Sequence, residues 1–208
     1  MTREGESTPL RRSDRTRRVW LGRLGVCLGL LFVVLSGVAP SFGGQQAKPE
    51  EYQVKAVYLY NFGRFVQWPE NGAKDDPFTI CVLGRDPFEV ILDTTLANEK
   101  IDSHKLVAKR IANYKEAKSC RIVFISASEL SRAKEILSLL EGSPVLTVSD
   151  MPSFVSNGGM IQFVLQDNKV RFEVNLTAAE KAGLTLSSQL LKVATEVRRA
   201  GPGGDVKP

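Results

Sequence analysis

The chain has 208 residues, with 28 Lys and Arg against 23 Asp and Glu and a formal net charge of +5. Seven arginines and only three carboxylates lie in residues 1–44, so four of the five excess positive charges belong to that segment. Residues 45–208 are almost neutral, which excludes the basic surface that a nucleic-acid-binding protein needs. Their number suffices for one domain that folds without a metal ion.

Residues 1–44 have the composition of an export signal. The apolar run Leu24–Leu35 follows an arginine cluster and precedes small residues such as Gly43 and Gly44. This pattern predicts a signal peptide that places the rest of the chain outside the cytoplasm. The cleavage position stays open, and an uncleaved anchor is the alternative. Export by the Sec route is the prediction, and because Thr16–Leu21 resembles a twin-arginine signal, that route is the alternative.

Residues Glu50 to Trp68 are predicted to form an aromatic-rich helix that Pro69 ends. Its aromatic residues are not confined to one stripe: Tyr52, Tyr58, Tyr60, Phe62, Phe65 and Trp68. Such a helix is either largely buried in the core or carries a docking surface. On the second interpretation, the candidate partner-binding residues are Tyr52, Tyr58 and Trp68.

The rest of the chain alternates between apolar strands and helices. Six strands are predicted, at Phe78–Leu83, His104–Ile111, Arg121–Ile125, Pro144–Val148, Met160–Leu165 and Val170–Leu176. The predicted helices are Phe88–Leu96, a helix that follows Ser126 and ends before Gly142, Thr177–Ala182 and Ser187–Arg199. Ser126 and Glu129 are expected to form a capping box, and the charged strand His104–Ile111 is expected at a sheet edge.

Alternation of strands and helices indicates a mostly parallel sheet with helices on both faces. The last two strands are predicted to form an antiparallel hairpin around the turn Gln166–Lys169. The predicted fold class is therefore α/β, a single three-layer domain of residues 45–198 with five to six strands. A disordered tail of residues 199–208 is expected to follow.

Two cysteines remain outside the signal segment, Cys81 and Cys120, and an even pair in an oxidising compartment predicts a disulfide. Two buried free thiols are the alternative. In the common doubly wound order the strands 78–83 and 121–125 are neighbours, which would bring the two sulfurs within bridging distance. No metal site and no cofactor are predicted, since His104 is the only histidine.

The carboxyl ends of the strands are where ligands of such sheets bind. These ends supply the candidate pocket residues Gly84, Arg85, Asp86, Ser149 and Asp150. The sequence has no dinucleotide fingerprint, phosphate loop or nucleophile elbow, and no carboxylate pair that indicates catalysis. The chain is therefore not predicted to be an enzyme.

Several motifs in order resemble the YfiR family of periplasmic proteins. They are Glu51–Phe62 with Trp68–Pro69, Ile80–Gly84 with Asp86–Phe88, Pro144–Ser149, Gly158–Ile161 and Val170–Asn175. The resemblance runs from about Glu50 to Ala194. It implies a periplasmic repressor that holds a membrane-bound diguanylate cyclase inactive through its periplasmic sensor domain and so lowers cyclic-di-GMP signalling.

The resemblance also implies a disulfide between Cys81 and Cys120, whereas a second cysteine pair of some relatives is absent here. The expected partner is the periplasmic domain of a membrane diguanylate cyclase or a similar sensor protein, with a homodimer as a further assembly to test. The alternative class is a periplasmic small-ligand-binding domain whose output belongs to another chain.

Overall fold

A computed structural model of the protein describes residues 49–69 and 77–199. The predicted signal peptide of residues 1–44 and residues 200–208 of the predicted tail lie outside these ranges. Within them, none of the helices combines the length and the apolar character that a membrane crossing requires.

The helices are α1 (Pro49–Phe65), α2 (Val90–Leu96), α3 (Ala133–Leu140), α4 (Leu176–Lys181) and α5 (Ser188–Val193). Two 3-10 helices, Tyr114–Ser119 and Ala127–Arg132, flank the central strand β5. The strands are β1 (Val66–Gln67), β2 (Phe78–Leu83), β3 (Lys100–Ile101), β4 (His104–Ile111), β5 (Ile122–Ile125), β6 (Leu146–Ser149), β7 (Ile161–Gln166), β8 (Lys169–Asn175), β9 (Thr185–Leu186) and β10 (Glu196–Arg198).

Eight of these strands form one sheet in the order β10-β8-β7-β6-β5-β2-β4-β3, and β1 pairs with β9 in a separate two-stranded sheet. The central strands β4, β2, β5, β6 and β7 are parallel, and β7 and β8 form the antiparallel hairpin. The predicted α/β class and the neighbouring positions of β2 and β5 are confirmed. The sheet has two strands more than the six predicted, β3 and β10.

Successive residues of each central strand point to opposite faces of the sheet. In β2, Ile80 and Val82 pack in one cluster with residues of α1 and α2, whereas Cys81 and Leu83 pack in another with residues of α3. We term these sides the α1 face and the α3 face. The helices therefore cover both faces, as the alternation of elements predicted.

The hairpin turn is built as its sequence predicts. Asp167 and Asn168 have φ values of 51° and 57°, and Gln166 pairs with Lys169 across the turn. Two consecutive residues with positive φ make the two-residue turn whose twist matches that of the flanking strands. This register directs Val170, Phe172 and Val174 toward the α1 face.

Two predicted helices are too long. The first ends at Phe65 and not at Trp68, because Val66 and Gln67 pair with Leu186 and Thr185. The last ends at Val193, and Glu196–Arg198 instead forms a strand parallel to β8. In both places a short strand pairs with a segment that is distant in the chain, so local helix-forming patterns do not decide the structure.

Smaller corrections concern the ends of other elements. The strand His104–Ile111 is not the outermost, because β3 pairs with its first two residues. The second helix begins at Val90 and not at Phe88. The predicted capping box is half formed. Ser126 is the N-cap and its hydroxyl accepts from the Ser128 N–H at 3.4 Å. Glu129 does not return the bond, since the Ser126 N–H donates to the Leu83 carbonyl and Glu129 pairs with Arg132.

Candidate functional site

A buried ionic cluster joins α1 to the carboxyl end of β6. The Lys55 ammonium lies 2.5 Å from a Glu51 carboxylate oxygen and 2.7 Å from Asp150 Oδ2, and the lysine is only 2% exposed. The Tyr52 hydroxyl donates to Asp150 Oδ2 at 2.9 Å, and Lys55 Nζ lies 4.4 Å from the centre of the Tyr52 ring. We term Glu51, Tyr52, Lys55 and Asp150 the Lys55 cluster.

The buried ammonium of the Lys55 cluster is fully paired. A buried ammonium is tolerated only with partners, and here two carboxylates surround it. Burial, followed by repulsion from the Asp150 carboxylate, raises the pKa of Tyr52 well above its ordinary value. Tyr52 therefore keeps its proton, and the hydrogen bond it donates, to a higher pH than a free tyrosine would. The arrangement fastens the N-terminal half of α1 to the sheet.

The cluster unites two residues that the sequence analysis assigned to different sites, Tyr52 for docking and Asp150 for a ligand pocket. Lys55 was not singled out, although a signal for it exists. It lies four and seven residues before the buried Leu59 and Phe62, on the same face of α1. A lysine within such an apolar stripe requires a buried carboxylate partner.

The predicted pocket residues after β2 form a closed turn. Gly84 has φ +88°, and a Cβ placed on it would lie 2.5 Å from the Ser128 hydroxyl oxygen. The backbone N–H of Arg85 donates to the same hydroxyl at 2.9 Å. In a doubly wound sheet the ligand crevice lies outside the ends of the strands where the order reverses, here β2 and β5. Gly84 and Ser128 are therefore in close contact at this end of the two strands.

Asp86 has two structural partners. Its Oδ1 accepts from the backbone N–H of Phe88 at 2.8 Å, as expected of a capping residue, and its Oδ2 accepts from Arg110 Nε at 2.8 Å. The Phe88 ring then packs edge-on against Tyr52, with the ring centres 5.2 Å apart. Asp86 is thereby linked through an aromatic contact to the Lys55 cluster.

Ser149 is the last residue of β6, and its hydroxyl group also forms hydrogen bonds within the protein. Its hydroxyl donates to the Ile125 carbonyl at 2.6 Å and accepts from the Met151 N–H at 3.1 Å, and it is fully buried. Concavities of about 490 and 380 Å³ occur elsewhere in the described ranges, and neither is lined by a predicted pocket residue. Polar groups at these strand ends therefore stabilise the fold, and the ligand pocket they were expected to form stays a prediction.

The other two predicted docking residues are only partly accessible. Tyr58 packs against Phe62, Phe163 and Phe172, with ring centres 5.4–5.9 Å apart. Trp68 packs edge-on against Phe78 at 5.1 Å. The exposed apolar residues of α1 are Val54 and Val57, at 44% and 48% exposure. The aromatic residues mainly build the core, and the partner-binding role of Tyr52, Tyr58 and Trp68 stays a prediction.

The disulfide between Cys81 and Cys120 is confirmed. It joins β2 to the residue that precedes Arg121 and β5, with the two Cα atoms 6.0 Å apart and both residues buried on the α3 face. The bridge closes a loop with a sequence separation of 39 residues. The chain-entropy estimate for such a loop is about 4 kcal/mol of stabilisation.

Comparison with known structures shows a likeness in fold. A conserved domain protein from Vibrio cholerae matches with a TM-score of 0.50 and 12% identity, and the ABC domain in complex with L-Trp from Streptococcus pneumonia matches with a TM-score of 0.48 and 12% identity. Each match covers 71% of this chain, which spans 60% of the length of each of those structures. At this identity the likeness concerns the α/β fold alone.

A family model gives a more specific result. The model described as YfiR/HmsC-like matches residues 52–195, from the second turn of α1 to the start of β10. This range contains the Lys55 cluster apart from Glu51, and it contains the disulfide and the β7–β8 hairpin. YfiR-like proteins are periplasmic and regulatory, and they are generally not enzymes. By this match the chain belongs to the YfiR/HmsC-like family.

Proposed function

We propose that this protein is a periplasmic repressor that holds a membrane-bound diguanylate cyclase inactive through the periplasmic sensor domain of the cyclase. The observation that carries the proposal is the family match over residues 52–195. Repression lowers cyclic-di-GMP in the cell, and release of the sensor raises it. Residues 1–44 would serve as the signal peptide that exports the chain, by the Sec route.

Binding and folding are linked in this mechanism. Only the folded domain presents a surface to the sensor, so occupancy of the cyclase depends on the folded fraction. The Cys81–Cys120 bridge raises that fraction, because it restricts the unfolded chain. Reduction of the bridge would therefore weaken repression.

The polar side chains at the strand ends form hydrogen bonds and ion pairs within the fold, and this supports a regulatory role over an enzymatic one. Asp86, Ser149 and Asp150 each make the structural bonds described above, and Gly84 packs closely against Ser128. A catalytic site needs titratable groups that converge on an open pocket. Those at the strand ends are engaged with the fold.

The concavity of about 490 Å³ supports a second candidate function, that of a small-ligand-binding domain. It lies between α3, the segment Asn157–Gly158 and α4, with Lys134 and Lys181 among its lining residues. Two lysines would favour a ligand with a carboxylate. A thermal shift of the purified protein with small carboxylic acids, in the absence of any cyclase, would favour this candidate.

Deletion of the gene in the native host tests the main proposal. Cyclic-di-GMP should rise in the deletion strain and return to the starting level when the full chain is supplied from a plasmid. A version that lacks residues 1–44 is the control, because a protein retained in the cytoplasm cannot reach a periplasmic domain. An unchanged cyclic-di-GMP level in the deletion strain would contradict the proposal.

A further inference from the structure

The near neutrality of residues 45–208 conceals a separation of charge. Residues 100–121 contain seven Lys and Arg against two carboxylates, an excess of five positive charges. The other residues that the structure describes contain eleven Lys and Arg against fourteen carboxylates, an excess of three negative charges. Residues 100–121 comprise the β3–β4 hairpin and the 3-10 helix Tyr114–Ser119. Positive charge is therefore concentrated at one end of the sheet.

The lysines of the β3–β4 hairpin lie on the α3 face. Leu106 packs in the core of the α1 face, so the alternate residues Lys105, Val107 and Lys109 point to the α3 face. Lys100 lies directly opposite Lys105 in the antiparallel pair, which places both side chains on the same side of the sheet. The three lysines are exposed, and so is Val107, at 42%. This part of the α3 face is therefore open to solvent.

The segment between β4 and β5 adds two lysines on the same side of the sheet. Its 3-10 helix packs on the α3 face, since Ala117 is buried in the core of that face. Lys115 and Lys118 are exposed and one 3-10 turn apart, so they lie on the same side of this helix. Arg121 follows at the entrance to β5 and is half-buried. We term the five lysines the basic face: Lys100, Lys105, Lys109, Lys115 and Lys118.

Most of this charge is not neutralised within the protein. Lys109 pairs with Glu116 at 3.1 Å, and both side chains are about half exposed. Across residues 49–69 and 77–199, the other four lysines of the basic face form no ion pair. Asp102 in the β3–β4 turn, and Glu135, which accepts a hydrogen bond from Tyr114, add two negative charges beside the face. The basic face therefore keeps a net positive charge.

Two further charged groups of the hairpin lie on the opposite side of the sheet. Arg110 pairs with Asp86 and Asp93, which belong to the segment that leads into α2 and to α2 itself. Glu99 accepts a hydrogen bond from Tyr60 of α1. These groups therefore belong to the α1 face.

A role in guarding a sheet edge accounts for part of the basic face only. Among the described residues, β3 pairs with the first two residues of β4, and the edge of β4 is open beyond Lys105. Lysine on such an edge hinders pairing with another chain. Lys115 and Lys118 belong to the 3-10 helix and not to that edge, so edge protection does not account for them.

The chemistry of the basic face fits a phospholipid surface better than a protein. Protein interfaces are depleted in lysine and enriched in arginine and aromatic residues, whereas all five cations of this face are lysines. Neither concavity described above is lined by them, so the face offers no such pocket to the side chains of a partner. Exposed lysines are attracted to anionic headgroups without any pocket.

We propose that the basic face binds the surface of a bilayer that contains anionic phospholipids. Binding is electrostatic and reversible, and each lysine adds a small increment to it. The inference goes beyond the proposed function, because it assigns to the domain a second partner besides the cyclase sensor. A domain held in this way would stay beside the membrane in which a cyclase is embedded.

Cosedimentation of the purified full chain with lipid vesicles tests the inference. We expect the protein to bind vesicles that contain phosphatidylglycerol more strongly than vesicles of phosphatidylcholine alone. Raising the salt concentration to about 0.5 M should release it, because salt screens exposed charges. The vesicles hold no cyclase, so the result does not depend on the proposed function.

The decisive variant reverses three charges of the basic face, with Lys100→Glu, Lys105→Glu and Lys118→Glu combined. Its partition onto phosphatidylglycerol vesicles should fall at least about tenfold relative to the wild type. Residues 1–44 are the same in every protein compared, so their own affinity for vesicles does not account for a difference.

The control makes the same change of charge outside the basic face, with Lys169→Glu, Lys181→Glu and Lys192→Glu combined. These lysines are exposed and lie in β8, α4 and α5. The control should stay within about threefold of the wild type, because charges more than a Debye length from the bilayer are screened. Thermal denaturation verifies that both variants fold. Glutamine at the same three positions of the basic face replaces a variant that does not, and should also weaken binding.

Three results would overturn the inference: equal binding of the wild type to both kinds of vesicle, a basic-face variant that binds like the wild type, or equal losses in that variant and the control. A basic-face variant that fails to repress in the deletion strain, with a wild type that shows no preference for phosphatidylglycerol, would assign the face to the sensor and not to lipid. Failure of the wild type itself to repress would contradict the proposed function and leave the vesicle result standing.

Discussion

The two faces of the sheet are stabilised by different means. The α1 face holds the aromatic rings of Tyr58, Phe62, Phe163 and Phe172 and the buried Lys55 cluster, so it depends on packing and on ion pairs. The α3 face holds mainly aliphatic residues, together with the buried ring of Phe154, around a covalent bridge. Residues that alternate along the same strands contribute to both faces. The covalent bridge therefore lies on the α3 face, whereas the contacts of the α1 face are all non-covalent among the described residues.

The largest expected effect is on the α1 face. Phe62→Ala removes a fully buried ring that contacts three others and should lower the free energy of unfolding by about 3 to 5 kcal/mol. Phe154→Ala is the matched change on the α3 face, where Phe154 is 1% exposed. Urea denaturation should show a loss about 1 kcal/mol larger for Phe62, because ring pairs add to burial. Equal losses would remove the distinction between the faces.

Loss of the bridge should come next. The double substitution Cys81→Ser with Cys120→Ser is expected to lower the free energy of unfolding by about 2 to 4 kcal/mol, and to derepress the cyclase through the smaller folded fraction. Dithiothreitol should lower the melting temperature of the wild type and leave that of the double variant unchanged. A wild-type melting temperature that does not change in dithiothreitol would contradict the proposed role of the bridge.

The Lys55 cluster should have an intermediate effect. Lys55→Met keeps an aliphatic stem but leaves Glu51 and Asp150 without a buried counter-ion. These carboxylates keep 16% and 15% side-chain exposure, so we expect a loss of about 2 kcal/mol, below the range for fully buried pairs.

Lys109→Met is the control for this change, because its ion pair with Glu116 is about half exposed and should contribute less than about 1 kcal/mol. Denaturation midpoints of the two variants give the comparison directly. Similar losses for both would show that the Lys55 cluster is no stronger than a surface ion pair.

The smallest expected effect depends on pH. Because the pKa of Tyr52 is raised in the folded protein, the unfolded chain loses this proton first as the pH rises. Stability from Tyr52 is therefore fully present below about pH 10, the ordinary value for tyrosine, and declines above it. Tyr52→Phe should lose about 1 kcal/mol at pH 7, and its difference from the wild type should narrow above pH 10.

Tyr58→Phe is the control for the pH experiment, since the hydroxyl it removes makes no hydrogen bond within the described ranges. Urea denaturation at pH 7 and above pH 10 supplies the measurement. A constant difference between Tyr52→Phe and the wild type at both pH values would contradict a role for the Tyr52 proton.

Elements with strong local patterns could be predicted. The strand Phe78–Leu83 and the strand His104–Ile111 have the predicted bounds, and the hairpin turn lies at the predicted residues. The positions of these elements are encoded locally. Glycine and proline bound the apolar runs, and a turn sequence lies between segments of alternating apolar and polar residues. The neighbouring positions of β2 and β5 followed from the common doubly wound order. The disulfide followed from an even pair of cysteines in a domain expected to be exported.

Features that depend on distant partners could not be predicted. The strands β1, β9 and β10 have two or three residues each, and their existence depends on pairing across the fold. Lys55 pairs with Asp150, and the two residues are separated by 95 positions in the chain. For the same reason Tyr52 and Asp150 were each identified, but not as members of one cluster.

The pairing of β1 with β9 has a consequence for a chain that crosses a membrane from its N-terminus. Val66 meets Leu186, and the Ser187 N–H donates to the Phe65 carbonyl at 2.9 Å, so the first helix is completed by nearly the last segment of the fold. In a protein exported N-terminus first, the end of this helix would therefore gain these backbone partners only when translocation was almost finished. Segments that emerge earlier, such as the β7–β8 hairpin with Phe163 and Phe172, would already cover its aromatic side chains.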